Sequence, residues 1–197
     1  MEPFTSHTGV VAPLDRADVD TDQIVPKEYL KRVERSGYGR FLFHDWRFDA
    51  RGEPVPSFVL NRPEHDGASI LVAGRNFGCG SSREHAAWAL QDYGFKAVLA
   101  PSFADIFRDN ADQNGIVAVE LDEETVRAVL DRARDRAPYS LTVDLEGCVV
   151  SDGAGLRASF AMDDFRRTCL REGLDRIGLT LRHEALITAF ERAAPPR

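Results

Sequence analysis

The sequence predicts an α/β fold whose sheet is parallel in one part and antiparallel in another, and two patterns carry that expectation. Between residues 69 and 119, short runs that are apolar throughout alternate with stretches of helical period, the β-α-β-α-β order of a parallel sheet buried on both faces. Between residues 141 and 160, apolar residues alternate singly and are separated by turn formers, as in an antiparallel meander. The length of 197 residues, with 43% hydrophobic and 29% charged, suits one domain spanning the whole chain and excludes disorder as its main state. Internal repeats and low-complexity tracts are absent.

Taken in order, residues 7–14 read as a strand, and residues 15–23 are acidic, irregular and too polar for a core, hence a surface loop. Pro26, whose fixed φ suits the first helical position, opens a turn or two of helix through Tyr29, Leu30 and Val33 that stops at Gly37. Residues 38–62 mix aromatics with Gly52, Pro54 and Pro56 and carry no clear period. Ile70, Leu71, Val72 and Ala73, bounded by Gly67 and Gly74, form a buried strand. A glycine-rich loop over 74–82 follows, then a helix over 83–93 with Gly94 as its stop. Residues 97–100 give a second buried strand, Ser102 starts a helix through Phe103, Ile106 and Phe107, and residues 116–119 give a third strand, joined by right-handed crossovers. Asp122 caps a helix with Val126, Val129 and Leu130 at helical spacing. Leu141, Val143 and Leu145, then Val149 and Val150, then residues 156–160 after the turn Ser151-Asp152-Gly153, make the meander. Residues 163–172 and 184–192 are helices.

Composition narrows the partners. Acidic residues number 32 against 25 basic, a net charge of -7 and the wrong sign for a protein that binds nucleic acid through its backbone. Cys79, Cys148 and Cys169 are widely separated and form no C-x-x-C pair, which argues against a disulfide framework and against a metal site in this chain. No apolar run approaches the roughly eighteen residues needed to span a bilayer, so the expectation is a cytoplasmic protein without a membrane partner.

The segment from Gly74 to His85 lies between a buried strand and a helix, where open α/β sheets place ligands. Ser81 and Glu84 have capping-box spacing, which starts the helix at Ser81 or Ser82 with free N–H groups facing the loop. Such donors favour an anion. A phosphate loop needs Gly-Lys-Ser/Thr, and a dinucleotide loop needs a glycine where Arg83 stands, so neither nucleotide motif is met. Two hydroxyls, a guanidinium fork and helix N–H groups suit a small carboxylate instead. The same residues also fit a plain capped helix with a surface arginine. Cys79 alone cannot hold an iron–sulfur cluster. His85, in the first turn, either titrates near the site or packs against the loop.

Residues 74–90, with the core Asn-Phe-Gly-Cys-Gly-Ser-Ser-Arg-Glu-His-Ala, closely resemble the signature of the 3-isopropylmalate dehydratase small-subunit family, the swivelling domain of the aconitase superfamily. Residues 20–27 (Asp-Thr-Asp-Gln-Ile-Val-Pro-Lys) resemble that family's N-terminal motif, residues 101–107 with Asn110, Asn114 and Gly115 its third, and residues 173–181 its C-terminal one. The resemblance implies a three-layer β/β/α swivelling domain acting in leucine biosynthesis, where 2-isopropylmalate and 3-isopropylmalate are interconverted by dehydration and rehydration. It further implies that Ser81 is the base, working as an alkoxide, and that Ser82 and Arg83 hold a carboxylate of the dicarboxylate substrate. Arg32 would touch the malate part, Asp22 would orient the serine loop as a supporting carboxylate, and residues 29–39 would reach the substrate's variable group. No cofactor is implied in this chain; a [4Fe-4S] cluster with one open iron is implied in a separate large subunit, so that each chain carries half an active site. Related hydro-lyases acting on homoaconitate, citraconate or methylcitrate, a carboxylate-sensing regulatory module and a purely structural partner are the competing readings.

Overall fold

A computed structural model describes residues 1–31 and 34–193. Arg32 and Val33, expected near the substrate, lie outside the described residues, as do residues 194–197. The chain runs β1 (Ser6–Leu14), α1 (Thr21–Ile24), a 3-10 turn (Lys27–Lys31), α2 (His44–Arg47), β2 (Ile70–Ala73), α3 (Glu84–Tyr93), β3 (Ala97–Ala100), α4 (Asp105–Gln113) and β4 (Val117–Glu120). It continues through α5 (Glu123–Asp135), β5 (Ser140–Asp144), β6 (Val149–Ser151), β7 (Arg157–Ser159), α6 (Asp164–Glu172), α7 (Arg176–Leu181) and α8 (Glu184–Ala193).

The seven strands lie in the order β4-β3-β2-β1-β5-β6-β7. The strand β1 belongs to both parts of the sheet: residues 11–14 pair in parallel with β2, Val11 opposite Ile70, while residues 6–10 pair antiparallel with β5, Val10 opposite Ser140. One long strand thereby links the β-α-β-α-β unit to the meander.

Alternation along the parallel strands sorts the core into two. Leu71, Ala73, Val98, Ala100 and Ala118 meet Ala86, Ala89 and Leu90 of α3 and Phe107 and Ala111 of α4. Ile70, Val72, Ala97, Leu99, Val117 and Val119 face the other way, against Val126, Val129 and Leu130 of α5 and against Leu141, Val143 and Val150 of the meander. This is the β/β/α layering that the family resemblance implies. Full burial of each large apolar side chain contributes about 1.5–3 kcal/mol, so continuous apolar strands such as β2, buried at every position, fix the centre of the fold.

Three expectations need correction. The helix after the serine loop starts at Glu84, with Arg83 as its N-cap, and not at Ser81 or Ser82. The next helix starts at Asp105 and not at Ser102, because residues 102–104 are held in an extended bridge: Phe77 N–H donates to Ser102 O at 3.0 Å and Ala104 N–H to Phe77 O at 3.0 Å. Residues 15–23 are not a free surface loop; Val19 and Thr21 are buried, and Asp20 caps α1 in a full capping box with Gln23. The aperiodic stretch 38–62 folds into α2 and short 3-10 turns that bury Tyr38, Leu42, Phe43, Phe58 and Leu60. Among the described residues no helix is long and apolar enough to cross a membrane.

Candidate active site

The serine loop leaves β2 at Gly74 and is tied to two neighbouring segments before it reaches α3. Gly74 N–H donates to Arg16 O at 2.9 Å and Gly78 N–H to Val19 O at 2.8 Å, while Asp18 N–H reaches Arg75 O and Thr21 N–H reaches Cys79 O, each at 2.9 Å. On the other side Asn76 N–H donates to Ser102 Oγ at 2.9 Å, and the Asn76 side chain donates to Asp18 at 2.8 Å. Two glycines make the path possible. Gly78 has φ +77°, and a Cβ there would lie 2.1 Å from the Phe107 ring; Gly80 has φ +89°, beside Asp20. Both conformations are ones that side-chain-bearing residues rarely take.

The hydroxyl of Thr21 then donates to Ser81 O at 2.9 Å, which anchors the loop by its backbone and leaves the serine side chains outward. Ser81 and Ser82 are exposed, and among the described residues neither hydroxyl has a protein partner. Arg83 is mostly buried, with 15% of its side chain accessible, and its Nη1 donates to Asp22, whose side chain is half exposed. Since α3 has no side-chain cap, its first-turn N–H groups lack the acceptor that Ser81 would supply in a capping box. The Glu84 carboxylate, unable to close that box, instead accepts from Asn114 Nδ2 at 3.3 Å, at the end of α4. An uncapped helix start, a braced guanidinium and two unpartnered hydroxyls are all groups that donate hydrogen bonds to anions.

Other residues fall into supporting places. The His85 ring packs 5.3 Å from Tyr38 and 4.6 Å from Trp88, and burial lowers its pKa below the ordinary imidazole value, so at neutral pH it is an uncharged packing residue. Burial, then Asp20 and Asp18, raise the Cys79 thiol above its usual value and keep it protonated. Among the described residues no group of three or more His, Cys, Asp or Glu side chains could hold a metal ion, so these residues do not fit an iron–sulfur cluster as its ligands. Thr21, Asn76, Ser102 and Asn114 shape the loop and were missed as site residues by the sequence reading. Asp20 and Gln23 at capping-box spacing signal α1, whereas nothing local marks Ser102.

Residues 1–124 match the family model of the aconitase C-terminal domain, and residues 177–197 match that of the C-terminal domain of the 3-isopropylmalate dehydratase small subunit. The 3-isopropylmalate dehydratase small subunit of Geobacillus kaustophilus is 56% identical over 197 residues, 100% of this chain and 100% of its own. Its counterpart in Rhodopirellula baltica is 58% identical over 194 residues, 98% of this chain and 99% of its own. The chain belongs to the 3-isopropylmalate dehydratase small-subunit family. A crystal structure of 3-isopropylmalate dehydratase from Methanocaldococcus jannaschii has the same fold, with a TM-score of 0.65 at 26% identity over 94% of this chain and 99% of that one. The small-subunit family is part of a hydro-lyase of the aconitase superfamily in leucine biosynthesis.

Proposed function

We propose that this chain is the small subunit of a 3-isopropylmalate dehydratase, acting as a single domain in the cytoplasm with a large-subunit partner, and that its serine loop is half of the shared active site. In this reading Ser81 Oγ takes the carbon-bound proton during dehydration and returns it during rehydration. The Ser82 hydroxyl, the free edge of the Arg83 guanidinium and the first-turn N–H groups of α3 hold a carboxylate of the dicarboxylate substrate. Asp22 keeps the fork in place. Arg32 touches the malate portion. The iron–sulfur cluster belongs to the large subunit.

The observation that supports this reading most is the uncapped start of α3 next to two exposed, unpartnered serine hydroxyls and a braced arginine. A serine hydroxyl is a feeble base unless its alkoxide is stabilised, and a helix N-terminus with a guanidinium supplies positive potential that stabilises the deprotonated form. A positioned base of this kind contributes about 10²- to 10⁴-fold to rate.

The experiment is reconstitution with the large subunit under anaerobic conditions. The isolated chain should be colourless and without turnover, and the pair should interconvert 2- and 3-isopropylmalate with a kcat/KM at least tenfold above that for homocitrate. Turnover by the isolated chain would overturn the half-site reading; preference for homocitrate would move the enzyme to a related hydro-lyase.

A further inference from the structure

A cavity of about 400 Å³ opens beside the C-terminal end of β1, between that strand end, residues 57–65 and the end of α5. Ser81, Ser82, Arg83 and Asp22 take no part in its lining. His65 does, and it is 3% exposed. Its Nδ1 donates to Val11 O at 3.1 Å; a carbonyl only accepts, so this bond fixes the ring proton on Nδ1. Burial lowers the imidazole pKa and leaves the ring neutral at neutral pH, with Nε2 as an acceptor. That Nε2 has no protein partner among the described residues. The buried polar side-chain atoms that lack a partner and are sealed from solvent belong to Arg47, Arg108, Asp112 and Arg166, so the His65 lone pair opens into the cavity. A buried acceptor calls for a donor to meet it.

The charged groups of the wall divide into committed and uncommitted ones. Asp15 pairs with Arg127 at 2.9 Å and with Arg134, and the Arg16 guanidinium lies over the Trp46 ring, 4.2 Å from its centroid. Arg62 gives one Nη2 hydrogen to Ser57 O at 3.0 Å and keeps its remaining N–H groups, while the Glu64 carboxylate has no hydrogen bond or ion pair among the described residues. What is left is one cation, one anion and one neutral acceptor, beside the apolar side chains of Leu14 and Phe58. We propose that this cavity binds an aliphatic α-amino acid, with the ammonium shared between His65 Nε2 and Glu64, the carboxylate on Arg62, and the side chain against Leu14 and Phe58. Two acceptors in one cavity match a group with several protons to give. An ammonium has three; a hydroxyl has one, so a hydroxy acid leaves an acceptor unmet. A dicarboxylate or a phosphate offers neither acceptor a donor and faces the Glu64 charge. The volume lies within the range of about 300–1,000 Å³ usual for small-molecule sites.

The test is titration calorimetry of the full chain with L-leucine and with its α-hydroxy analogue, in which a hydroxyl replaces the ammonium. L-leucine should bind saturably, and the hydroxy analogue at least tenfold more weakly. Glu64→Gln and Arg62→Gln, both at exposed positions, should keep the melting temperature and each weaken L-leucine binding about tenfold or more, since each removes a charge-assisted hydrogen bond. In protein labelled with ¹⁵N histidine, the Nε2 resonance of His65 should move as L-leucine saturates the site, while Nδ1 stays protonated. No saturable binding of L-leucine at millimolar concentration, with the His65 resonance unmoved, would overturn the proposal and leave water as the occupant. Equal or tighter binding of the hydroxy analogue would overturn the assignment of an ammonium. Saturable binding that leaves the His65 resonance unmoved and is unchanged in both variants would place the ligand elsewhere and overturn the site.

Discussion

Arg83 is asked to do two things, and its geometry allows both. One arm of the fork pairs with Asp22, and the remaining N–H groups have no protein acceptor among the described residues. A pair with a half-exposed carboxylate adds little to stability, typically under about 1 kcal/mol, so its effect is to aim the guanidinium. Arg83→Lys keeps the charge and loses the planar fork; in the reconstituted enzyme KM should rise about tenfold or more while kcat changes less. Asp22→Asn should raise KM by a smaller factor, and the double variant should fall short of the product of the two, because both act on one guanidinium. Strictly multiplicative effects in steady-state kinetics would show that Asp22 does not act through Arg83. The residue types of the loop were legible in the sequence: two serines and an arginine after a run of glycines. Their arrangement was not, since the Ser81–Glu84 capping pattern pointed to a helix start that the Thr21 bond to the Ser81 carbonyl and the left-handed Gly80 prevent.

At the level of elements, the loop depends on what lies behind it. Gly78→Ala places a methyl group into the Phe107 ring at a backbone conformation that disfavours side chains. The two penalties together should lower the unfolding free energy by about 3 kcal/mol, measured by urea denaturation, and a second change of Phe107→Leu should recover part of it. A different element sets the response to acid. In the turn between β6 and β7, burial pushes the Asp152 carboxyl up, but the Ala154 and Leu156 amides, the Tyr139 hydroxyl and Arg132 outweigh it and bring the pKa down to about 2. A carboxyl whose folded value lies below its unfolded value of 3.8 contributes stability that is present above about pH 4 and is lost as the pH falls through 2. Thermal melts of the unsubstituted chain between pH 5 and pH 2 should therefore fall more steeply than those of Asp152→Asn, and equal slopes would contradict the assignment. Strands β2 and β3 were readable to the residue because continuous apolar runs have one stable use in an α/β chain, inside the sheet. The stretch 38–62 was not, because its aromatics are buried by tertiary packing in short turns that follow no period. The helix α7 was also unread as structure: its six residues carry too little pattern, and Asp175, whose side chain accepts from Gly178 N–H at 2.6 Å, is its main local sign.

For the whole molecule, the sheet divides labour along β1. Its parallel part, layered between α3 and α4 on one face and α5 and the meander on the other, is a rigid base, and the serine loop projects from the end of β2 with its hydroxyls outward. On the proposed reading, an exposed base and an exposed carboxylate cradle suit a site completed by another chain, since a charge-stabilising environment works best where water is excluded. The central claim is that Ser81 is the base of that shared site, and kcat of the reconstituted pair carrying Ser81→Ala tests it most directly. Truncation of an exposed hydroxyl should leave subunit affinity and melting temperature unchanged while kcat falls by at least about 10²-fold. A Ser81→Ala pair that turns over 2-isopropylmalate at the normal rate, with or without a lower melting temperature, would contradict the account and reduce the loop to a structural bend.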